Sequence, residues 1–350
     1  MTLKAENADR LRKRIPLRRR VYDQIPSAVL RFGYELSKDL HSLSLRDWSP
    51  LQRAPPLGMH FNVTDRCNAR CVFCAYPLTK PEGVMSQETF ESALEQYVQM
   101  GGTKVSFNPL VGEPLLDPNI FDRLRLALSY RQLERIDFFT NAINLGVNEN
   151  HRRLLDTGIR EISLSIGGFE RELYVKMMGV DRYDEMLNGV HLLLEENAAR
   201  GGPVRINIFI RGRMSSWFTD DFLRIVGPFI DEEYLRNNIH TTKLYDNWSG
   251  LVKIEDLPAG SGFYPLGHVR RKPCNRMFEV AVLVNGDLRA CDCRFGAKGK
   301  HDELVFGNIT QTSLAEAWNG EKLRQLRRSF GRKEGAQVCH ACNVYSPIHN

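Results

Sequence analysis

The chain has 350 residues, too many for one small core, and its length predicts about two domains plus an extension. Hydrophobic residues make up 42% and charged residues 26%, a balance typical of a globular protein that needs no disulfides. The net charge is +6, no apolar run approaches the length of a membrane span, and the first residues lack a signal-peptide core. We therefore expect no membrane span and a cytoplasmic location.

Residues 1–55 are predicted as a basic helical extension. Arginine dominates the tract 10–20, RLRKRIPLRRR, and Pro55 and Pro56 end the extension. A basic tract can contact nucleic acid or an anionic membrane surface, but a lone tract of this kind is more often a solvated helical face. We therefore expect a solvated arm, with nucleic acid or anionic-surface contact as the less favoured role.

Residues 56–250 alternate between short predicted strands and helices. The strands are expected at 59–63, 104–108, 136–140, 161–166, 204–210 and 241–245. Such alternation predicts parallel β-α-β units. Because six units are too few for the closed eight-stranded barrel, the predicted fold class is α/β, with a partial (β/α)6 barrel.

Three cysteines follow the first predicted strand: Cys67, Cys71 and Cys74 have the spacing C-x3-C-x2-C. Thiolates at short, fixed spacing can hold an iron–sulfur cluster, and three ligands leave one metal position open for chemistry. The alternatives are three buried thiols or a zinc knuckle completed by a distant ligand. Zinc sites favour C-x2-C pairs, so the x3 spacing favours iron and sulfide.

At these cysteines the chain resembles the radical S-adenosylmethionine superfamily, whose signature is C-x3-C-x2-C after the first barrel strand. The resemblance covers residues 57–250 by fold pattern. It implies a 4Fe-4S cluster on the three cysteines and S-adenosylmethionine at the open iron, cleaved to a 5′-deoxyadenosyl radical that takes hydrogen from a substrate. It also implies a reductant such as flavodoxin or ferredoxin. Phe73 matches the superfamily's aromatic residue beside the adenine.

A second motif follows the second predicted strand in the sequence NPLVGEPL. It resembles the superfamily's Gly-Gly-Glu-Pro, which implies that Gly112 and Glu113 hold the ammonium group of S-adenosylmethionine. Val111 replaces the first glycine, and a β-branched residue tolerates positive φ poorly, which puts the backbone geometry of this match in doubt. Thr140 and Asn141 resemble the Thr-Asn-Gly that ends the superfamily's third strand.

Four residues on later strands are further candidates for contacts with the same ligand or with the substrate. Ser163 and Ser165 share one face of the fourth strand, where they could meet the ribose or carboxylate or simply be satisfied inside the barrel. Asn207 and Arg211 lie near the end of the fifth strand. They are candidates for the ligand carboxylate or the substrate, although an arginine at a strand end is more often solvated.

The C-terminal part changes pattern from alternating units to a hairpin and a helix. Strands are expected at 280–284 and 288–290, joined at Asn285-Gly286, because Asn-Gly supplies the positive φ of a type I′ turn. A helix is expected over 314–329.

Residues 251–350 are thus predicted as a small cysteine-rich domain. Four of its cysteines could close one metal site, either a zinc ribbon or an iron–sulfur cluster; they are Cys274, Cys291, Cys339 and Cys342. The pattern C-x11-G-x4-C followed by C-x2-C resembles the auxiliary-cluster extension called SPASM, or its shorter twitch form. This resemblance implies one auxiliary 4Fe-4S cluster, because the cysteines for a second one are missing.

Cys293 is the spare cysteine of this domain. It could replace Cys291 as a ligand, remain inert, or donate a hydrogen atom, as the free thiol does in the radical epimerases that the chain resembles. If Cys291 and Cys293 lie on one extended strand, their side chains share a face, and this favours Cys293 beside the cluster.

The favoured function is a radical enzyme that oxidises a small polar substrate, such as a sugar, aminocyclitol or nucleotide-sugar. One alternative is an epimerase that uses Cys293 as its hydrogen donor. Another is a maturase of ribosomal peptides, but residues 1–55 are too short for the winged-helix domain that such enzymes often carry. The non-enzymatic alternative is an iron–sulfur or zinc protein that binds nucleic acid.

Overall fold

The computed structural model describes most of the chain: residues 21–22, 24–43, 51, 54–79, 83–108, 110–212, 218–292, 302–330 and 332–348. The Arg-rich tract 10–20 and Cys293 lie outside the described residues. Within the described part, none of the helices combines the length and the apolar character needed to cross a membrane.

Eleven strands are described, and nine of them form one sheet in the order β11-β10-β9-β1-β2-β3-β4-β5-β6. Their bounds are β1 Met59–Phe61, β2 Lys104–Phe107, β3 Arg135–Thr140, β4 Glu161–Ile166, β5 Arg205–Ile210, β6 Ile239–Thr241, β7 Leu244–Tyr245, β8 Gly262–Phe263, β9 Val280–Val282, β10 Asp287–Arg289 and β11 Val305–Asn308. Strands β1 to β6 pair in chain order and in parallel. The described strands form an open sheet, which confirms the predicted α/β fold with a partial barrel.

Eleven helices are described. They are α1 Ser27–Leu43, α2 Gln87–Gln99, α3 Ile120–Ser129, α4 Asn150–Leu155, α5 Arg171–Met178, α6 Tyr183–Ala199, α7 Asp220–Ile225, α8 Glu232–Asn237, α9 Leu314–Trp318, α10 Glu321–Ser329 and α11 Gln337–His340. Helices α2 to α8 lie between strands of the barrel sheet, as the alternating pattern predicts, whereas α1 precedes β1 and α9 to α11 follow β11. Helix α2 begins where the sequence suggests, because the Ser86 hydroxyl accepts a hydrogen bond from the Thr89 amide at 3.0 Å.

The two faces of the sheet differ in chemistry. Phe61 on β1 packs its ring 4.6 Å from that of Phe90 on α2, so this face of the sheet is covered by helices. The strand register places a mainly polar set on the opposite, inward face: His60, Ser106, Asp137, Phe139, Ser163, Ser165, Asn207, Phe209 and His240. The inward face is therefore where a polar ligand can be held.

The C-terminal hairpin is part of the barrel sheet. Strand β9 runs parallel to β1, with Met59 opposite Val280 and Phe61 opposite Val282, and β10 returns antiparallel to β9. The sequence predicts a separate hairpin domain, but it cannot show this pairing. The domain boundaries at 55 and 250 stay predictions.

Three local predictions were wrong. The hairpin turn has a positive φ, +85°, at Gly286 but not at Asn285, so it is not type I′. The helix expected over 314–329 is interrupted at Gly320, whose extended backbone begins α10. The sixth strand ends at Thr241 instead of running to residue 245, because the chain leaves the sheet and Lys243 is buried against the carbonyls of Tyr22 and Ile25.

Candidate active site

The loop that carries Cys67, Cys71 and Cys74 lies at the carboxyl end of β1 and is held by the end of α5. The Arg70 amide donates to the Met178 carbonyl at 2.8 Å. Gly179, with φ +66°, allows a close approach here, because a Cβ at this position would lie 2.4 Å from the Arg70 carbonyl oxygen. The backbone of the cysteine loop is therefore packed closely against the end of α5.

An amide network holds the other side of the same loop. Asn141, just after β3, donates to the Asn68 side chain at 2.7 Å, and Asn68 donates to Asn144 at 3.0 Å. The Asn141 amide also lies 4.0 Å from the Cys67 sulfur. Asn141 was a predicted match to the superfamily, whereas nothing in the sequence pattern pointed to Asn68 or Asn144.

The three thiols of the loop are free and partly shielded from solvent. Burial raises the pKa of Cys67 to about 12 and that of Cys74 to about 11, and it also raises the pKa of Cys71 well above its usual value. Buried thiols of this kind lose their protons when they bind a metal ion, because the metal replaces the proton on each sulfur. Their chemistry therefore fits metal ligands better than free nucleophiles.

The spacing of the sulfurs distinguishes a cluster from a single zinc ion. Three thiolates on one zinc ion, at ~2.3 Å each, would lie about 3.8 Å apart. Among the described residues, the one set of three candidate ligand atoms within 4.8 Å of one another belongs to His60, Glu279 and Asp292, and no three cysteine sulfurs are that close. At least one pair of the three sulfurs is thus more than 4.8 Å apart, wider than thiolates on one zinc ion would be. On a four-iron cluster, the three cysteines would leave one iron open.

The close set formed by His60, Glu279 and Asp292 is already neutralised in part by an arginine side chain. The Arg276 guanidinium lies 2.9 Å from the Glu279 carboxylate and 3.4 Å from that of Asp292. Burial alone would lower the pKa of His60, but Asp292 and Glu279 outweigh it and raise that pKa. We interpret this group as a network of ion pairs.

Glu113 contacts the end of β3 through both oxygens of its carboxylate. One oxygen accepts hydrogen bonds from the Thr140 hydroxyl at 2.7 Å and the Leu115 backbone amide at 3.2 Å. The other oxygen accepts one from the backbone amide of Asn141 at 2.7 Å. Burial raises the pKa of Glu113 to about 7 against these bonds. The carboxylate thus joins the predicted second motif to the predicted third one, and its contact with the ligand ammonium stays a prediction.

Gly112 explains why Val111 is tolerated. Gly112 has φ +123°, and a Cβ there would lie 2.3 Å from the Thr64 carbonyl oxygen. Val111 has no positive φ. Only the second position of the motif therefore needs glycine, and the doubt raised by Val111 does not apply to this backbone.

Phe73, Arg211 and Ser165 lie together at the carboxyl end of the barrel. The Arg211 guanidinium is 4.9 Å from the centre of the Phe73 ring, and it donates to the Ser165 hydroxyl at 3.0 Å. Arg211 also opposes the rise in pKa that burial causes at Cys71 and Cys74. This arginine thus offers positive charge beside the cysteine loop.

Ser163 and Asn207 lie one step deeper on the inward face. They are opposite each other on β4 and β5. The Asn207 amide donates to Glu161 at 2.8 Å and its carbonyl accepts from Asn238 at 3.1 Å, so Asn207 is bound towards the amino end of the barrel. The structure does not bring Asn207 together with Phe73, Arg211 and the cysteine loop.

A cavity of about 1630 Å³ opens at the amino ends of β3, β4 and β5, with Arg135, Glu161 and Arg205 in its wall. Active sites of parallel β/α barrels form at the carboxyl ends of the strands. This cavity is at the opposite end from the cysteine loop, and we do not assign it to the site.

The four auxiliary cysteines come together beside the hairpin. The thiol charges of Cys291, Cys342 and Cys274 all act on Cys339. Burial raises the pKa of Cys339, and that of Cys274 to about 12. As at the first site, no three of these sulfurs lie within 4.8 Å of one another in the described residues, so they do not have the spacing of thiolates on one zinc ion.

Cys293 was expected beside the cluster on the condition that Cys291 and Cys293 share one extended strand. Strand β10 ends at Arg289 and the backbone bends at Asp292, so the described residues do not meet this condition. Cys293 itself lies outside the described residues, so its role as ligand, donor or inert thiol stays a prediction.

A tight turn that the sequence did not identify as a link connects the two cysteine sites. The Trp248 indole donates to the Phe73 carbonyl at 2.9 Å, and the Ser249 hydroxyl donates to the Val338 carbonyl at 2.7 Å. Trp248 and Ser249 have φ values of +47° and +55°, which are uncommon for residues with a Cβ. The turn therefore contacts the first cysteine loop on one side and the segment before Cys339 on the other.

Comparison with known proteins agrees with this geometry. The family model of the radical SAM superfamily matches residues 61–210, and that of the SPASM iron–sulfur cluster-binding domain matches residues 274–343. These two domains imply 4Fe-4S clusters, as the cysteine spacing suggests.

Individual curated relatives share less than a third of their aligned residues with this chain. GTP 3′,8-cyclase of Shewanella denitrificans is 28% identical over 173 residues, 47% of this chain and 48% of that protein. The chain thus spans about half the length of such curated relatives.

Two solved structures share the fold. BtrN in complex with AdoMet and 2-DOIA is 18% identical with a TM-score of 0.51, over 82% of this chain and 92% of that one. Streptococcus suis SuiB bound to the precursor peptide SuiA is 16% identical with a TM-score of 0.55, over 82% and 70%. The family matches thus identify a radical SAM domain over residues 61–210 and a SPASM iron–sulfur cluster-binding domain over residues 274–343 of this chain.

Proposed function

We propose that this enzyme oxidises a small polar substrate by two electrons and passes one of them to a single auxiliary 4Fe-4S cluster. The observation that carries the proposal is the gathering of Cys274, Cys291, Cys339 and Cys342 at one place. Four thiolates complete the ligand set of a four-iron cluster without help from a substrate. A fully ligated cluster is suited to accept an electron.

The residues of the first site have separable roles in this proposal. When bound there, the cluster and S-adenosylmethionine supply a 5′-deoxyadenosyl radical that removes one hydrogen atom from the substrate. Phe73 offers a ring for the adenine, and Arg211 a positive charge for the ligand carboxylate. Gly112 and Glu113 hold the loop against β1 and β3, with the ammonium group as the proposed contact. Ser163 and Ser165 offer hydroxyls to the ribose or to the substrate.

The inward face supports a small polar substrate. Ser106, Ser163 and Ser165 supply hydroxyl groups there. The rings of Phe139, Phe209 and His240 line up across the strands, with centres 5.8 Å and 4.4 Å apart, and fill part of the interior. The hydroxyl groups of this face are suited to hydrogen-bond a sugar, aminocyclitol or nucleotide-sugar.

A nucleotide is the second candidate substrate. The supporting observation is the name of the curated relatives, GTP 3′,8-cyclase, which are 26–29% identical over about half their length. A cyclase would use the same first site but would release a rearranged nucleotide without net oxidation.

We further propose that a flavodoxin or ferredoxin supplies the electron that starts each reaction, and that the enzyme works in the cytoplasm. The seven described cysteines are free thiols, and a reducing compartment keeps such thiols available for metal.

The test is anaerobic reconstitution followed by a screen of sugars, aminocyclitols, nucleotide-sugars and GTP for stimulated 5′-deoxyadenosine formation. The mass of the product should fall by two hydrogens. A product of unchanged mass that carries solvent deuterium, and that disappears in Cys293→Ala with both clusters intact, would instead establish an epimerase. Stimulation by GTP alone would favour the cyclase.

A further inference from the structure

Three basic side chains hold the backbone around the auxiliary cysteines. Arg270 donates to the carbonyls of Cys339 at 2.5 Å and Cys342 at 2.7 Å. Lys38, from helix α1, donates to the carbonyl of Asn343, the residue after Cys342, at 2.6 Å. Arg289 on β10 donates to the carbonyl of Cys291. We call Lys38, Arg270 and Arg289 the cationic shell.

Two members of the shell form no ion pair in the part of the chain that the structure describes. Neither Arg270 nor Lys38 has a carboxylate oxygen within 4 Å there, and the hydrogen bonds they donate go to main-chain carbonyls. Burial lowers the pKa of Lys38 to about 8, while the Glu35 carboxylate acts in the opposite direction. The positive charge of Lys38 also interacts with the thiols of Cys342 and Cys274.

Arg289 adds a hydrogen-bond donor. Its side chain is fully buried, and its Nε pairs with the Asp302 carboxylate at 2.6 Å. One terminal nitrogen has no hydrogen-bond partner in the described part of the chain. A buried donor without a partner is costly, so its presence beside a cysteine site calls for an acceptor there. Arg289 also acts on the thiol of Cys339, against the rise in pKa caused by burial.

We propose that the cationic shell raises the reduction potential of the auxiliary cluster and so makes it an electron acceptor. Net charge and hydrogen bonds to sulfur are two of the levers by which a protein sets the potential of an iron–sulfur cluster. The reduced cluster carries one more negative charge than the oxidised one, so nearby positive charge favours the reduced form. The shell residues position and tune the cluster without touching the substrate.

This inference rests on the proposed oxidation. In that reaction the substrate first loses a hydrogen atom to the 5′-deoxyadenosyl radical. The substrate radical then loses a proton to solvent and an electron to the auxiliary cluster, which leaves a product oxidised by two electrons and a cluster reduced by one. A higher potential makes the last transfer favourable.

The test is a redox titration followed by electron paramagnetic resonance, in the full chain with Cys67, Cys71 and Cys74 changed to Ala so that only the auxiliary cluster is observed. Arg270→Gln should lower the ratio of reduced to oxidised cluster at a fixed potential at least tenfold, which is about 59 mV for a one-electron couple. Arg270→Lys keeps the charge and should recover most of the ratio.

Two further variants make the result decisive. Lys38→Met, on a different element, should shift the ratio in the same direction, and it decides the question if Arg270→Gln does not retain four irons. Arg328→Gln is the control, because the Arg328 side chain is 62% exposed and solvent screens its charge. This variant should leave the ratio of reduced to oxidised cluster unchanged. An unchanged ratio in the iron-loaded shell variants, or an equal shift in Arg270→Lys, would overturn the proposal. A shifted ratio in these variants, together with no substrate oxidation by the chain that keeps Cys67, Cys71 and Cys74, would overturn the proposed function alone.

Discussion

Gly112 is the glycine of the second motif, and its backbone lies against that of Thr64. A Cβ at this position would lie 2.3 Å from the Thr64 carbonyl oxygen, and its φ of +123° is one that side chains rarely adopt. We expect Gly112→Ala to destabilise the protein by about 3 kcal/mol or more, because strain and a clash with backbone act together. Thermal unfolding checks the stability, and equilibrium dialysis checks S-adenosylmethionine binding, which should weaken.

The matched control is Gly201→Ala. Gly201 also has a positive φ, +84°, but a Cβ there meets nothing within 4 Å. This variant should cost only the conformational strain, about 1 kcal/mol, and should bind S-adenosylmethionine normally. If both variants lose the same stability and the same affinity for S-adenosylmethionine, the contact of Gly112 with the Thr64 carbonyl has no special role.

For single residues, the sequence predicts which side chains belong to the site better than it predicts their hydrogen-bond partners. Glu113 was identified from its motif, but its three hydrogen bonds to β3 and to its own loop depend on two segments meeting in space. Asn207 occupies its predicted strand, yet its partners Glu161 and Asn238 turn it away from the cysteine loop. Alternation along a strand gives the face of a residue but not the neighbour that its side chain chooses.

Among the elements, the turn at Trp248–Gly250 links the two cysteine sites. Trp248→Phe keeps a ring but removes the hydrogen bond from the indole to the Phe73 carbonyl. We expect a loss of about 0.5–1.5 kcal/mol in unfolding free energy together with weaker S-adenosylmethionine binding, because Phe73 lies in the cysteine loop.

A second tryptophan provides the control. The Trp318 indole donates to the Ala54 carbonyl at 2.8 Å, in a different part of the molecule. Trp318→Phe should lower stability to a similar extent and leave ligand binding unchanged. If the two variants bind S-adenosylmethionine equally well, the turn does not support the cysteine loop.

The order of the elements could be predicted further than their pairing. Hydrophobic periodicity located the strands β1 to β5 to within two residues at either end, and the Asn-Gly pair located the hairpin. The pairing of β9 with β1 joins residues about 220 positions apart, and no local pattern encodes a contact of that range. The short helices α5 and α8 were missed because one or two turns carry too little periodicity.

On the scale of the whole molecule, one continuous sheet carries both cysteine sites. The first cysteine loop follows β1, and Cys291 follows β10 two strands away in the sheet order. Helix α1 adds Lys38 to the surroundings of the second site. The N-terminal extension is thus joined to the auxiliary site by a described helix, although the sequence suggested only a solvated arm.

The most direct test of the account is the full-length triple variant Cys67→Ala, Cys71→Ala, Cys74→Ala, assayed for iron and for 5′-deoxyadenosine after anaerobic reconstitution. The unaltered chain should hold about eight irons for two four-iron clusters and should cleave S-adenosylmethionine on reduction. The variant should hold about four irons and form no 5′-deoxyadenosine. Continued formation of 5′-deoxyadenosine by the variant would contradict the assignment of the first cluster to these three cysteines.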